Sequence, residues 1–396
     1  MITEAKRPLI LAGGGVLRAQ ASTILVALAE RLGAAVITTM AGKSSFPEDH
    51  PLYAWHAGSK GTACGNTLAA QADLILAVGC RFADETTSSY RKGISFNIPP
   101  ARLIHIDIEP SEIGKNYPVE IGLVGDARLI LEALAEELGK PTGDILNNPY
   151  VQEIEKTRNT WLKQLEPFRS SSHSPITVSK SLQEIRAALP RSGYLVTSSG
   201  HSQSQVLQEF PFYEPGTLVT TGGFSTMGFA LPAALGVKLA RPDQPVVALV
   251  GDGDFLMTVQ ELATAIQYDL DIIVIVLNNQ GFLSIRDLQT DVYGEARRYA
   301  TEFRNGKDEA VSPDFVALAG SFGIKAERVS QPGEVEPALR RAISAYEPRL
   351  IEVVVNREHP WSGGNATGWW DVPIPEYLSN RRKNYEAARR EEDLNR

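Results

Sequence analysis

Val246-Val247-Ala248-Leu249-Val250-Gly251-Asp252-Gly253-Asp254-Phe255 and Ile272-Ile273-Val274-Ile275-Val276-Leu277-Asn278-Asn279-Gln280-Gly281 decide the fold. Each opens with an apolar, β-branched run of strand length and closes on glycine or asparagine. Neither run alternates with polar residues, so each reads as a strand covered on both faces, as in a parallel sheet flanked by helices. Asp252 and Asn279 lie 27 positions apart, which leaves room for one helix and one strand. Both polar groups therefore arrive at neighbouring strand ends, the edge of an open α/β sheet where ligands bind. The glycines beside Asp252 permit a tight turn and close approach of the backbone to a bulky ligand.

Outward from this pair the same rhythm continues. Further strands are expected at 194–197, 217–220, 326–329 and 350–355, with helices at 179–189, 227–239, 258–268, 313–322 and 335–345. The first 140 residues repeat the pattern, with strands expected at 9–12, 35–38, 74–78, 103–108 and 121–124 and helices at 21–32 and 127–138. Between them, Lys140-Pro141-Thr142-Gly143 is turn chemistry, 150–165 is a polar helix and 170–175 a Ser-rich loop, which marks a boundary. The reading is α/β, with two doubly wound parallel-sheet domains. A central Rossmann-like domain spans 1–140, a linker 141–175, the domain carrying the Asp252/Asn279 pair 176–358, and a tail 359–396.

Composition sets the outer limits. With 396 residues, 43% hydrophobic and 22% charged, the chain has the make-up of an ordinary two-domain globular protein. A net charge of −8 argues against a general nucleic-acid binder. Two cysteines, Cys64 and Cys80, are too few for a disulfide framework and read as reduced thiols. The first residues hold no signal-peptide core, and no apolar run reaches the roughly 18 residues of a membrane span. A soluble cytoplasmic protein is expected, with neither membrane nor nucleic acid as partner.

One carboxylate, one amide oxygen and a freed backbone carbonyl form a hard-oxygen set. Mg²⁺ accepts such a set when diphosphate oxygens and water complete its octahedron. A lone Gly-Asp-Gly is a weak signal, but joined to Asn278-Asn279 at a matching strand end it is specific.

These residues resemble the signature of thiamine diphosphate (ThDP) enzymes of the acetolactate (acetohydroxyacid) synthase type. The likeness extends to Thr221-Gly222-Gly223-Phe224-Ser225-Thr226-Met227-Gly228 and to Phe255-Leu256-Met257-Thr258. In the first domain it takes in His105-Ile106-Asp107-Ile108-Glu109-Pro110. The resemblance implies Mg²⁺ ligation by Asp252 and Asn279 side chains and the Gly281 carbonyl. It implies diphosphate contacts from Gly251, Gly253 and Asp254, the latter two through backbone N–H groups at a helix start. Gly200, His201 and Ser202 fall where the family has its other diphosphate contacts, and Ser225 lies in the cofactor-bending segment. Met227 would wedge between the two cofactor rings and enforce their bent arrangement.

The resemblance also implies what must come from elsewhere. The family's activating glutamate belongs to a pyrimidine-binding domain that precedes the central one. Here Arg7-Pro8-Leu9-Ile10-Leu11-Ala12-Gly13-Gly14-Gly15 already resembles the start of the central domain. The expectation is the large subunit of a split enzyme, a heterotetramer or larger, whose pyrimidine domain is a second polypeptide. Its substrate would be a small carbonyl compound such as a 2-oxo acid.

Some stretches depart from the synthase pattern. Leu283 and Leu288 stand where synthases carry a glycine and a specificity tryptophan. Ala41-Gly42-Lys43-Ser44-Ser45, Thr86-Thr87-Ser88-Ser89 and Gly368-Trp369-Trp370-Asp371-Val372-Pro373 are closer to trihydroxycyclohexanedione hydrolases, a related ThDP family. Hydrolysis of a cyclic 1,2-dione therefore stands as the alternative, and a non-catalytic cofactor-binding module as a third reading. FAD stays open: Gly13-Gly14-Gly15 and Gly79-Cys80-Arg81-Phe82 fall where flavin-binding synthases hold it, but Ala83-Asp84-Glu85-Thr86 replaces the acidic and basic residues that should follow.

Overall fold

A computed structural model describes residues 1–88, 90–139, 147–357 and 374–393. Ser89, the Lys140-Pro141-Thr142-Gly143 turn and the Trp369-Trp370 segment lie outside the described residues. The chain forms two compact units. The first comprises Met1–Gln164, Pro211–Gly216 and Trp361–Arg396; the second comprises Leu165–Phe210 and Thr217–Pro360.

In the first unit, six parallel strands run Pro8–Ala12 (β1), Ala35–Thr38 (β2), Tyr53–His56 (β3), Leu74–Val78 (β4), Arg102–Asp107 (β5) and Ile121–Val124 (β6). Their order is β3-β2-β1-β4-β5-β6, with a switch point between β1 and β4. The second unit holds Tyr194–Thr197 (β7), Leu218–Thr220 (β8), Val246–Gly251 (β9), Ile273–Asn278 (β10), Lys325–Val329 (β11) and Arg349–Val354 (β12), again all parallel. Their order is β11-β12-β10-β9-β7-β8, so the two strands that opened the sequence reading sit side by side at the centre. Leu277 pairs with Gly251, which brings Asn278 level with Asp252. Both doubly wound sheets are as expected from the unalternating apolar runs.

Every residue of β10 is buried, as are the first five of β9. One face of this sheet, with Val246, Ala248, Val250, Val274 and Val276, packs on Ala230, Leu231, Ala234 and Leu235 of the helix Ala230–Ala240. Each such aliphatic side chain, fully buried, contributes roughly 1.5–3 kcal/mol relative to exposure. Phe255 packs edge-on against Phe315 on the same side, ring centroids 5.7 Å apart.

Several elements differ from the sequence expectation. The strand Tyr53–His56 and the helix Ala63–Gln71 had no expectation. The strand is aromatic rather than β-branched and carries Trp55 at φ +68°, so it shows no strand-like pattern. The helices Gly200–Glu209 and Leu283–Tyr293 are polar and lack a clear apolar stripe. The expected helix at 227–239 instead starts at Ala230, because Gly228 takes φ +80° and breaks any helical path from Met227. The polar helix expected at 150–165 runs Pro149–Arg169, and within the first unit its Trp161 packs on Trp55, centroids 4.8 Å apart.

Lys43 and Glu48 are completely buried in the first unit and pair at 2.7 Å. The ammonium also sits over the rings of Trp55 and Phe212, at 5.0 and 5.4 Å from their centroids. Glu48 accepts the N–H groups of Ser44 and Phe212, so the pair fastens Pro211–Gly216 to the loop after β2.

Candidate active site at the strand ends of the second unit

Strand β9 ends at Gly251, and Asp252–Phe255 turns at once into a single helical turn. Asp252 is only 2% exposed. Its Oδ1 accepts the Gly253 N–H at 2.7 Å, while Oδ2 accepts those of Asn279 at 3.2 Å and Gly281 at 3.1 Å. Burial pushes its carboxyl up to about 6, against the pull of these backbone donors. A carboxylate has about four lone-pair sites. Oδ1, with a single donor, keeps acceptor capacity toward the cleft.

The residues after β10 divide their work. Asn278, the last strand residue, turns away from the cleft and donates through Nδ2 to Glu352 at 2.7 Å and to Ser312 at 2.8 Å. Asn279 lines the cleft, and its Oδ1 is buried without a hydrogen-bond partner among the described residues. A buried amide oxygen left unmet costs about 1–3 kcal/mol, which points to a missing donor or cation. Gln280 takes φ +62°, and Gly281 lies so close to the Thr301 carbonyl that a Cβ would approach it to 2.5 Å. Gly253 has a similar constraint, since a Cβ there would run into the Phe282 ring.

Opposite, the helix Gly200–Glu209 begins at the cleft. Ser199, Gly200, His201 and Ser202 line it, and Ser202 Oγ donates back to the Ser199 carbonyl at 3.1 Å. His201 Nε2 lies 3.4 Å from Asp287. Backbone N–H groups at a helix start favour an anion. A Cβ on Gly251 or Gly200 would meet no protein atom within 4 Å, so both glycines face open space that a side chain would otherwise fill.

Met227, Gly251, Asp252, Gly253, Asp254, Asn279 and Gly281 line the same cleft, of about 640 Å³. Ser225 does not; at φ +48° its Oγ donates to Gln203 at 2.7 Å and lies 3.2 Å from Ser199 Oγ. Asp254 accepts the Gly228 N–H at 2.5 Å and the Ser198 hydroxyl, and so ties the Met227-Gly228 segment to the ends of β7 and β9. Burial raises its carboxyl as well. Leu283 lines the cleft, whereas Leu288 is part-exposed and does not.

Sequence reasoning missed Gln205, Phe282 and Val178, which also line the cleft. Gln205 lies four positions after His201 and three after Ser202, hence on the same helical face. Recognising the helix would have found it.

Elsewhere the sequence candidates have plain structural roles. In the first unit a Cβ on Gly13 or Gly15 would collide with the backbone of Gly79, so close backbone packing accounts for that glycine run. His56 donates through Nδ1 to the Thr38 carbonyl at 2.7 Å, and His105 through Nε2 to that of Cys80 at 2.8 Å. Among the described residues no group of three or more His, Cys, Asp or Glu could hold a metal. A cation beside Asp252 and Asn279 would therefore need further oxygens from a bound group and water, which fits a diphosphate–Mg²⁺ pair. No helix among the described residues is long and apolar enough to cross a membrane.

The comparisons agree with this architecture. Residues 198–353 match the family model of the thiamine pyrophosphate enzyme C-terminal TPP binding domain, and residues 1–134 that of the thiamine pyrophosphate enzyme central domain. The chain is 36% identical over 369 residues to the probable acetolactate synthase large subunit of Methanocaldococcus jannaschii, covering 90% of this chain and 58% of that protein. It is 34% identical over 384 residues to the acetolactate synthase isozyme 3 large subunit of Escherichia coli, covering 93% and 64%. With the large subunit of Haemophilus influenzae the identity is 35% over 358 residues, covering 89% and 59%. The chain belongs to the thiamine diphosphate enzymes of the acetolactate synthase-like superfamily. It spans about three fifths of the length of these relatives.

Proposed function

We propose that the cleft holds the diphosphate of ThDP together with Mg²⁺, as part of an acetolactate synthase-like carboligase acting on 2-oxo acids. The observation that carries this is the buried Asp252 carboxylate beside the unpartnered Asn279 Oδ1 in one cleft. Asp252 and Asn279 would supply side-chain oxygens to the cation, with the Gly281 carbonyl as the third protein ligand. Asp254 and the start of Gly200–Glu209 would offer N–H groups to diphosphate oxygens, Gly253 would do so on giving up its bond to Asp252 Oδ1, and Gly251 would leave the space for them. Met227, fixed by the neighbouring Gly228–Asp254 bond, would buttress the bent cofactor. When bound, ThDP supplies a carbon nucleophile that attacks a carbonyl and then holds the electron pair released when the adjacent C–C bond breaks. The residues of this chain bind, orient and exclude water.

The relatives extend well beyond the matched part, which supports completion of the site by a pyrimidine-binding domain carrying the activating glutamate. The naming of the relatives as large subunits supports a hetero-oligomer. The relatives are named acetolactate synthase large subunits, which favours carboligation over hydrolysis of a cyclic dione and over a non-catalytic module.

Titration calorimetry tests the reading. ThDP should bind this chain only with Mg²⁺ present, and pyruvate should be consumed only once a pyrimidine-domain polypeptide is added. Absence of Mg²⁺-dependent binding sinks the site assignment. Full turnover by residues 1–396 without any pyrimidine-binding domain sinks the completion of the site by one.

A further inference from the structure

Glu352 lies on β12, outside the cleft lining, yet it is 1% exposed and joined to the turn that carries Asn279. Its Oε1 accepts Asn278 Nδ2 at 2.7 Å, and its Oε2 accepts Arg328 Nε at 2.8 Å. Arg328 is held in turn by Asp314 at 2.8 Å. On its other side, Asn278 Oδ1 accepts the Gln280 N–H at 3.1 Å. An asparagine that bonds the N–H two residues on stabilises a tight turn, and here that turn contains Gln280 at φ +62°.

We propose that Glu352 is a positioning residue for the cation-binding turn, acting by fixing which way the Asn278 amide points. The inference rests on the reading of the cleft as a Mg²⁺–ThDP site. An ionised carboxylate can only accept hydrogen bonds, so Asn278 must present Nδ2 to Glu352. Oδ1 is thereby left for Gln280. The turn so formed directs the Asn279 and Gly281 N–H groups onto Asp252 Oδ2 and leaves Asn279 Oδ1 buried without a hydrogen-bond partner among the described residues. Reversing the amide would set its NH₂ against the Gln280 N–H, donor to donor, and open the turn. Arg328 keeps the other carboxylate oxygen engaged, which offsets part of the cost of a buried charge.

The chemistry dictates the variants. In Glu352→Gln the guanidinium of Arg328 claims the amide oxygen, so the glutamine NH₂ faces Asn278 and the turn loses its acceptor. Asn278→Asp alone sets two carboxylates together. Combined, Asn278→Asp and Glu352→Gln restore the match between the two positions with that bond reversed and the charge of the pair unchanged; Ser312, which accepts from Asn278 in the wild type, turns its O–H from the Pro313 carbonyl to the new carboxylate.

Two readouts test this. Without ligand, hydrogen exchange at the Asn279 and Gly281 amides should speed up in each single variant and return toward wild type in the double variant. With ThDP, the Mg²⁺ affinity of each single variant should fall about tenfold or more, the usual effect of losing an outer-shell partner, and recover most of that loss in the double. Wild-type exchange and affinity in Glu352→Gln, or a double variant no better than the worse single, overturns the proposal. If the wild-type chain binds no ThDP with Mg²⁺, the site reading fails, while the ligand-free exchange pattern still decides whether Glu352 sets the turn.

Discussion

Asp252 Oδ2 receives the N–H groups of both Asn279 and Gly281, at 3.2 and 3.1 Å, so the carboxylate at the end of β9 organises the turn at the end of β10. Asp252→Ala should remove a cation ligand and the anchor of that turn together. We expect Mg²⁺-dependent ThDP binding to weaken by at least about 100-fold, the upper end for loss of even an outer-shell partner, with an unchanged far-UV circular dichroism spectrum. Calorimetry showing near wild-type affinity would remove Asp252 from the cation site.

The contact between Gly253 and Phe282 predicts an over-packing effect. A methyl at Gly253 runs into the Phe282 ring, which is itself packed edge-on against Phe303 at 5.2 Å. Gly253→Ala should cost about 1–3 kcal/mol of stability, and adding Phe282→Leu should return most of it. Thermal melts of the two variants check this, and no gain from the second substitution would disprove the steric account.

Glu209 predicts a pH effect on stability. Burial pushes its carboxyl up from 4.5 to about 7, with Ser179 Oγ donating at 3.0 Å in partial opposition. Between those values the folded chain holds a proton that the unfolded chain has released. The associated stability is thus complete below about pH 4.5 and is lost as pH rises through about 7. Glu209→Gln should escape this loss and gain up to about 3 kcal/mol on wild type between pH 4.5 and 8. Parallel stability–pH profiles from urea denaturation would refute it.

The Lys43–Glu48 pair predicts an asymmetry between single and double variants. Burial drives the Lys43 ammonium down and the Glu48 carboxyl up, and each partner opposes the shift of the other. Lys43→Met leaves a carboxylate buried without its counter-charge, at a cost of about 3–5 kcal/mol. Lys43→Met with Glu48→Gln should recover more than half, because the amide oxygen still accepts from Phe212 or Ser44. A single variant within about 1 kcal/mol of wild type in urea denaturation would show that the pair is not coupled.

Much of this was legible in the sequence because burial on both faces leaves a mark. The runs 246–250 and 273–277 have no polar alternation, and they occupy the two central strands of their sheet. Asp252 and the pair Asn278-Asn279 were legible for the same reason, being the first polar groups after those runs, although the runs do not tell which asparagine faces the cleft. Tyr53–His56 was not: it is four residues long and buried throughout, so no polar alternation marks it, and Trp55 takes a left-handed conformation foreign to a regular strand. Nor were the largely polar Gly200–Glu209, whose His201, Ser202 and Gln205 line the cleft, and Leu283–Tyr293, whose first turn lines it through Leu283, Ser284 and Ile285. Glu352 was hidden most deeply, since its role depends on register across two strands that sequence spacing does not reveal.

Asp254 grips Gly228 and Ser198 at once, and this bears on how such a protein can be altered. The segment through Met227 and the loop through Asp252 are locked in a common register, so neither can drift while the other stays fixed. A chimera that imports one of them from a relative must import the other with it.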